Sequence, residues 1–438
     1  LASGTPAQTT LTPGEMRGAM MASWEAGNFD QAVAIADALL LRDPRDYLPN
    51  QMRARAALSA NDFDTATFYA RRAWRVASSN VQRFEAARVM ANTLFRQGRI
   101  TSAQLWLRRT LQLAPTPELR DRTAQEFEAV REANPLRMDF RFSARRSDNV
   151  NNGAEPGEFT ISFFGIPLEL PITGSALALS GRELTYGATI ERRMKLQRGV
   201  RTFYARFDGR DVVLSPAAME MAPDAENSDY ALRELTFGTS SVETNAQGQL
   251  RTDISIERSW YGGEPLANEA AVRWAYTPRP RSRTLAFTYR TGLSHSFRLD
   301  NDARSGSTLS AGLGIAQSGS PGDFSYDLEV TNTISDSSTV DRARLNLGIG
   351  YSPRELVYGT ELTTRLTLSH TDFHKPFGGF GTDRQDVSAR ASMSLQLLEL
   401  DYFGFSPVVD LTAERTTSTI SLYETRSIGL SIGIKSSF

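Results

Sequence analysis

The sequence contains no cysteine and only three histidines among its 438 residues. The absence of thiols excludes a disulfide framework, a thiolate metal site and a cysteine nucleophile. The histidines His295, His370 and His374 are too sparse in the sequence to predict a metal cluster. No metal and no cofactor are therefore expected.

The sequence also has no long hydrophobic segment, and its mean hydropathy is −0.35. Without a run of about 18 apolar residues, a transmembrane helix is excluded. A transmembrane β-barrel remains compatible, because every second residue of its strands faces a polar lumen. Residues 1–12 have neither a charged nor a long apolar leader segment. We therefore expect a mature chain whose targeting signal was removed or never existed.

An internal repeat organises residues 14–134, where the periodicity is helical. The pattern of residues 27–32 recurs thirty-four residues later within 60–66, and again, in a looser form, within 97–103. This period, with small residues at close-packing positions, is typical of tetratricopeptide repeats, and three repeats are enough for a stable stack. Residues 1–13, which are small and polar, are predicted to form a disordered tail.

A charged helix over residues 118–132 is predicted to cover the apolar face of the last repeat. Asn134 ends the helical part, because a residue before proline is pushed out of the α region. The region 14–134 is thus predicted to be an α-solenoid of about three tetratricopeptide repeats. An unrelated helical bundle is the alternative.

Arginine is concentrated in the second half of this region. Between Arg71 and Arg109 there are nine arginines and a single acid, Glu85. Because arginine binds carboxylates and phosphates through two hydrogen bonds, the segment predicts a docking surface for an acidic client protein, lipid headgroups or a periplasmic chaperone. The candidate docking residues are Arg71, Arg72, Arg75, Arg88, Arg99 and Arg108. A solvated helix surface is the alternative, and nucleic acid is not expected, since the net charge is only −1.

Residues 136–438 alternate between apolar and polar in segments of about 9 to 14 residues, which predicts strands. Fourteen segments start near Arg137, Arg182, Val200, Asn227, Gln249, Leu266, Ser282, Ser307, Gly322, Val340, Tyr358, Arg384, Phe405 and Glu424. Their even number and their length predict an antiparallel transmembrane β-barrel of about 14 strands. A soluble β-sandwich or propeller is the alternative.

The last segment shows the strictest alternation. Its large apolar residues, Ile428, Leu430, Ile432 and Ile434, are separated by small or polar residues. One face is therefore predicted to contact lipid, and the other to line the lumen. The final residue, Phe438, resembles the C-terminal aromatic residue of bacterial outer-membrane barrels, which their assembly machinery reads. We interpret it as a barrel-assembly signal.

Two predicted loops, within 148–181 and 373–383, are longer than hairpin turns. Both are rich in apolar residues, which require a place to be buried, either inside the lumen as a plug or against a partner. The candidate plug or recognition residues are Phe163, Phe164, Ile166, Phe377 and Phe380. Packing of each loop on itself is the alternative.

Motifs for catalysis are missing. We find no nucleophile elbow, no phosphate-binding glycine loop and no zinc signature, so an enzyme is not expected. A barrel hydrolase that uses one of the three histidines is the remaining enzymatic alternative.

The fusion of a short repeat domain to a barrel of 14 strands resembles the surface lipoprotein assembly modifier family. Residues 140–143 followed by 147–152 are similar to the first strand of that family and its Asp/Asn-rich exit. Residues 404–411 followed by 418–426 are similar to its closing hairpin.

This resemblance implies an outer-membrane translocator that moves client lipoproteins or secreted proteins from the periplasm to the cell surface. Its implied partners are the client, the barrel assembly machinery, a periplasmic chaperone and outer-membrane lipid, with the helical domain in the periplasm. The seam between the first and last strands, flanked by Gly429 and Gly433, is expected to part most easily. An exopolysaccharide exporter and a general diffusion porin are the alternatives.

Overall fold

The computed structural model describes residues 11–163, 166–280, 282–376, 383–400 and 405–436. The chain divides into a helical unit that ends at Asn134 and a β unit that begins at Pro135. The predicted fold class is confirmed, since a helical repeat array is followed by a closed antiparallel barrel of 14 strands. In the described part of the chain, no helix has the length and apolar character needed to span a membrane.

Seven helices build the described part of the helical unit. They are α1 (Pro13–Glu25), α2 (Phe29–Arg42), α3 (Tyr47–Ser59), α4 (Phe63–Val76), α5 (Asn80–Arg96), α6 (Ile100–Gln112) and α7 (Pro117–Ala133). Each predicted repeat is one helix pair, namely α1 with α2, α3 with α4 and α5 with α6, and α7 follows as the capping helix. Residues 1–10 lie outside the described residues, so the disordered tail stays a prediction.

The turn inside each helix pair explains the repeated sequence pattern. Gly27, Asn61 and Gly98 occupy equivalent positions and have positive φ angles of 80°, 60° and 78°. Glycine and asparagine tolerate this left-handed conformation best. In each turn the next residue donates its N–H to the carbonyl five residues earlier, at 2.8 or 2.9 Å. The third repeat is longer because α5 has 17 residues and α3 has 13.

Small residues let the helices of the array approach closely. Ala32, Ala66 and Ala103 lie at matching positions of α2, α4 and α6, and each is fully buried. The core of the last repeat also contains Phe127 of α7, which is 0% exposed and packs in one cluster with residues such as Met90. The capping helix therefore completes the hydrophobic core rather than only shielding it from water.

The barrel consists of 14 strands. They are β1 (Leu136–Ser147), β4 (Gly181–Leu196), β5 (Gly199–Leu214), β6 (Leu232–Thr244), β7 (Gly248–Tyr261), β8 (Glu264–Pro278), β9 (Leu285–Arg298), β10 (Gly306–Ser318), β11 (Gly322–Ser335), β12 (Arg342–Pro353), β13 (Thr360–Phe373), β14 (Gln385–Leu397), β15 (Phe405–Ser418) and β16 (Thr425–Ser436). Consecutive barrel strands pair in antiparallel fashion, and β1 also pairs with β16 to close the sheet.

Two further strands, β2 (Glu158–Phe163) and β3 (Ile166–Pro171), form a separate hairpin between β1 and β4. The strand predicted to start near Asn227 begins only at Leu232, so that boundary was wrong. Asn227–Tyr230 is instead a 3₁₀ turn in which the Asn227 side chain accepts a hydrogen bond from the Leu214 N–H at 2.8 Å.

The two faces of the barrel wall differ in polarity. On β12, Leu345, Leu347 and Ile349 face outward and are 37%, 45% and 50% exposed. The residues between them, such as Asn346, face the lumen. The Asn346 side chain donates a hydrogen bond from Nδ2 to Glu329 Oε2 at 3.4 Å. Large exposed aliphatic residues that recur on strand after strand form a surface suited to an apolar medium rather than to water.

The outward apolar band has a defined height. On β4 the outward residues between Arg182 and Arg192 are Leu184, Tyr186, Ala188 and Ile190. Ten residue steps of about 3.3 Å, tilted by about 40°, correspond to about 25 Å along the barrel axis. This height equals that of the apolar band of outer-membrane barrels.

The two ends of the barrel differ in their connections. At the terminal end, where β1 begins and β16 ends, the connections are short, such as 197–198, 245–247 and 319–321. At the opposite end, here called the loop end, the connections 148–180 and 215–231 are the longest. Both predicted apolar loops lie at the loop end.

We predict that Phe127→Ala destabilises the helical unit by about 3–5 kcal/mol, because the substitution leaves a cavity in a fully buried site. The measurement is urea unfolding of the full chain in detergent, followed by the far-ultraviolet helix signal. Leu105→Ala is the control, since Leu105 on α6 is 55% exposed, and its cost should stay near 0.5 kcal/mol. Equal losses in both variants would contradict the role of Phe127 in the core.

Candidate functional site

Two of the predicted docking arginines stabilise the repeat array itself. Arg72 on α4 donates a hydrogen bond from Nη2 to the Pro44 carbonyl at 2.8 Å, which ties the second repeat to the first. The Arg108 guanidinium on α6 lies over the Phe127 ring, 5.5 Å from its centre. These contacts give both residues a structural role within the helical unit.

Three other predicted arginines are exposed. Arg71 and Arg75 lie on α4, and Arg99 immediately precedes α6. The two helices are in contact through Trp74 and Trp106, whose rings form a T-shaped pair with centres 5.2 Å apart. The exposed arginines thus lie on neighbouring helices, where an acidic surface has access to their guanidinium groups.

The remaining predicted arginine, Arg88, borders a groove between α5 and α7. The groove encloses about 320 Å³ and is lined by Arg88, Ala91, Asn92, Phe95, Leu107, Glu126, Ala129 and Val130. Arg88 and Glu126 lie 3.8 Å apart at its edge, and both are about one-third exposed. Phe95 is 44% exposed on its floor. The groove therefore combines an apolar floor with one cation and one anion, which suits a polypeptide segment.

The lumen of the barrel contains a cavity of about 720 Å³ to which nine strands contribute. Its charged lining residues are Arg137, Arg193, Arg206, Arg251, Arg273 and Arg290, with Glu191, Asp253, Glu257, Glu269 and Glu329. The two signs of charge are nearly balanced, so the lining gives no strong preference for a cation or an anion.

An ion-pair triad crosses five strands of the lumen wall. Asp327 on β11 accepts hydrogen bonds from Arg290 on β9 at 2.6 Å and from Arg365 on β13 at 2.7 Å. The intervening strands have Gly314 and Gly348 at this level, where an added Cβ would lie 3.2 Å and 2.8 Å from the arginine Nη2 atoms. Glycine on the lumen face thus leaves room for the long side chains to reach the shared carboxylate, and a larger residue there would displace the guanidinium groups.

Among the described residues, the seam between β1 and β16 has the shortest pairing of the barrel. Its register contains six residue pairs, from Phe142–Ile434 to Ser147–Gly429. On its other side β1 pairs with β4 over twelve residues, beginning at Leu136. The other barrel pairings in the described residues contain ten to sixteen pairs. Parting the seam therefore breaks fewer backbone hydrogen bonds than parting any of these neighbours.

The seam is reinforced at the loop end. Three hydrogen bonds extend the pairing there, from the Ile428 N–H to Asp148 Oδ1 at 2.8 Å, from Asn149 Nδ2 to the Arg426 carbonyl at 3.2 Å, and from the Glu155 N–H to the Glu424 carbonyl at 2.8 Å. We call residues 148–155 the strap. The strap therefore fastens the loop end of the seam.

Several predicted loop residues cannot be placed. Phe164, Phe377, Phe380 and Phe438 lie outside the described residues. The backbones of Phe163 and Ile166 belong to β2 and β3, but their side chains also fall outside the description. The plug, recognition and assembly-signal roles of these residues stay predictions.

An ionic cluster at the loop end was missed in the sequence, where Asp341 looked like an ordinary turn residue. Its buried carboxylate lies 2.5 Å from His374 Nδ1 and 3.5 Å from Lys375 Nζ. Burial alone would raise the pKa of Asp341, but the hydrogen bonds from His374 and the Ser335 N–H, with the charge of Lys375, hold that pKa below 3.8. The cluster joins the connection after β11 to the one after β13.

A cation–π stack lies at the same end. The Arg384 guanidinium lies between the rings of Phe373 and Tyr423, 4.1 Å and 3.2 Å from their centres. It also donates two hydrogen bonds to Asp386, at 3.0 and 2.6 Å. The stack links the connection after β13 to the one after β15, and the Asp341 cluster adds the connection after β11.

We predict that acid loosens the Asp341 cluster. A carboxyl whose pKa is lowered on folding stabilises the folded form above its ordinary pKa of 3.8, and this contribution is lost as the pH falls through the lowered value. Hydrogen exchange of residues 335–341, corrected for intrinsic rates, should therefore accelerate well below pH 3.8. In the Asp341→Asn variant, residues 335–341 should exchange fast both at neutral pH and in acid. A cluster that protects equally in acid and at neutral pH would contradict this account.

Comparisons with known proteins concern the fold of each part. No family model matches the chain, and no curated protein matches it. The chain is similar to the type III secretion translocator chaperone SycD of Yersinia enterocolitica, at 16% identity and a TM-score of 0.26, over 30% of this chain and 96% of that one. The first TPR domain of human RPAP3 is similar at 17% identity and a TM-score of 0.25, over 28% and 91%.

For the barrel, OccAB4 of Acinetobacter baumannii is similar at 7% identity and a TM-score of 0.33, over 68% of this chain and 97% of that one. The architecture of the chain itself, paired helices followed by a closed antiparallel barrel of 14 strands, is consistent with the outer membrane.

Proposed function

We propose that this protein is an outer-membrane translocator that delivers lipoproteins or secreted proteins from the periplasm to the cell surface. This is the activity of the surface lipoprotein assembly modifier family, which the sequence resembles. The observation that carries the proposal is the short β1–β16 seam, which gives a closed barrel a built-in place to part.

The outward face of the barrel supports an outer-membrane location in this proposal. The exposed aliphatic side chains form a band about 25 Å high, which matches the hydrocarbon layer that such barrels cross. Long connections at one end and short turns at the other are typical of the extracellular and periplasmic sides, respectively. We therefore propose that the loop end faces the cell exterior and that the terminal end, where the chain passes from the helical unit into β1, faces the periplasm.

The helical unit supplies the client-binding surface in this proposal. Its α5–α7 groove has the size of a few side chains and an apolar floor bordered by Arg88 and Glu126. The exposed Arg71 and Arg75 extend the binding surface to acidic segments of the client. A client held in this way would be presented on the periplasmic side of the membrane.

The exit path follows from the seam. A lipoprotein must keep its acyl chains in the membrane while its polypeptide part crosses, and a fully closed wall separates these two regions. Parting of β1 from β16 at the terminal end, opposite the strap, joins the lumen to the membrane at the least cost in backbone hydrogen bonds. Phe142 to Ser147 would re-pair with Gly429 to Ile434 once the client has passed.

A polysaccharide exporter receives less support. Carbohydrate conduits are expected to carry acids and aromatic rings along their length. The lining of the lumen cavity is instead mixed, with six arginines and five acids, and its aromatic residues are Tyr204 and Trp274. A lumen of mixed charge fits the passage of a polypeptide better.

The test of the proposal is the surface proteome of the bacterium with and without this protein, measured by labelling exposed proteins on intact cells. We expect one or a few lipoproteins or secreted proteins to lose surface exposure while surface glycans persist. Loss of an extracellular polysaccharide with unchanged surface proteins would replace the translocator with the exporter. Ala129→Trp, which fills the α5–α7 groove from an exposed position, should reproduce the loss in part.

A second prediction concerns the seam. Ala144 and Ile432 are paired across it, so Ala144→Cys/Ile432→Cys should form a disulfide that locks β1 to β16. Because the natural chain has no cysteine, no other disulfide can form within it. Under oxidising conditions the locked protein should deliver at least about tenfold less client to the surface, and reductant should restore delivery.

The matched control is Ala391→Cys/Ala413→Cys, which links β14 to β15 at an equivalent outward pair. This link should leave delivery unchanged. Delivery that survives the seam disulfide, or that is lost equally with the control disulfide, would show that the client does not leave through the seam.

A further inference from the structure

Two arginines face each other on the outer surface near the loop end. Arg146 on β1 is directly opposite Arg182 on β4, and both side chains are exposed. On their other sides, Arg146 is paired with Leu430 on β16 and Arg182 with Val213 on β5, and these two residues are 52% and 47% exposed. The arginine pair is therefore part of the outward surface and is flanked on both sides by apolar residues.

This arrangement is unfavourable without an anion. Directly opposed residues of an antiparallel pair have Cα atoms about 4.5–5.5 Å apart, and like charges in such a pair are destabilising. Within the described residues, neither Arg146 nor Arg182 has an acidic partner within salt-bridge distance. A nearby outward arginine, Arg233 on β6, shows the contrast, because it pairs with Asp211 at 2.5 Å.

The seam separates this pair from a second one. Arg415 on β15 is directly opposite Arg426 on β16, and both face outward at the loop end. Arg426 has a partial counter-charge in Glu155 of the strap, at 3.9 Å. Like charges thus oppose each other on both sides of the seam, but Arg146 and Arg182 carry the larger unbalanced charge.

We propose that Arg146 and Arg182 bind the phosphate-bearing headgroup of an anionic lipid in the leaflet at the loop end. Two adjacent guanidinium groups match one phosphate, because each can donate two parallel hydrogen bonds to its oxygens. The bound phosphate replaces the repulsion between the two arginines with attraction to a shared anion.

The surface below the pair selects a lipid over a free anion. Toward the terminal end, the outward residues of the two strands are Ala144 and Phe142 on β1 and Leu184 and Tyr186 on β4. They begin the apolar band, so a ligand with a phosphate at the arginines and acyl chains below them matches the whole surface. Inorganic phosphate would contact the two arginines but none of the apolar residues.

The inference rests on the proposed membrane location of the barrel but not on translocation. The experiment uses the full chain in neutral detergent and measures binding of diphosphorylated lipid A by native mass spectrometry. We expect wild-type protein to retain this lipid, and Arg146→Gln/Arg182→Gln to bind it about tenfold more weakly, or about 1.4 kcal/mol. Monophosphorylated lipid A and phosphatidylcholine should bind progressively less to wild-type protein.

The control variant is Arg192→Gln/Arg201→Gln, which removes the same charge from outward positions at the terminal end and should retain the lipid. Thermal unfolding supplies a second readout. Without lipid, Arg146→Gln/Arg182→Gln should be at least as stable as wild type, because repulsion is removed, whereas wild type should gain more stability from added lipid A.

Three results would overturn the inference. Equal lipid binding by both double variants would show that Arg146 and Arg182 do not form the site. Displacement of the lipid by millimolar inorganic phosphate would show that the site binds a free anion instead. Failure of wild-type protein to enter lipid vesicles would instead reject the membrane location itself. The vesicle result therefore separates failure of the site from failure of the proposed location.

Discussion

The closure of the sheet is the constraint on which the β unit depends. A strand whose outer side contacts hydrocarbon has no water to satisfy its N–H and C=O groups, so each barrel strand needs a partner on both sides. Strands β1 and β16 form the last pairing, and the sheet then has no remaining edge. The alternation of side chains follows from that closure, because one face of every strand is then committed to the exterior and the other to the lumen.

The same constraint sets a conflict at the seam. In the proposed function, the barrel must stay closed in the membrane and must also open to release a client. Within the described residues the pairing is uneven, with six register pairs at the seam and hydrogen bonds from the strap at the loop end. The β4–β5 pairing, with sixteen residue pairs, lies elsewhere in the wall.

The periodic features were predictable from the sequence, and the non-periodic ones were not. Alternation along Ile428–Ile434 and the recurring Gly27 and Asn61 turns express local rules, so the strands and helix pairs could be predicted without tertiary information. The Asp341 cluster could not, because its partners lie more than thirty residues away in another connection. The arginine-rich segment was predictable only in part. Composition located the segment, but the packed structure was needed to show that Arg72 and Arg108 stabilise the helical unit and that Arg88 borders a groove.

The lumen triad has a consequence for the width of the conduit. Arginine is among the longest side chains, and pointed inward it would obstruct a passage of this size. Because Gly314 and Gly348 leave shallow channels in the wall, Arg290 and Arg365 extend sideways along it toward Asp327 rather than toward the barrel axis. The wall is therefore charged at this level, while the polar groups of the triad are engaged with one another along it.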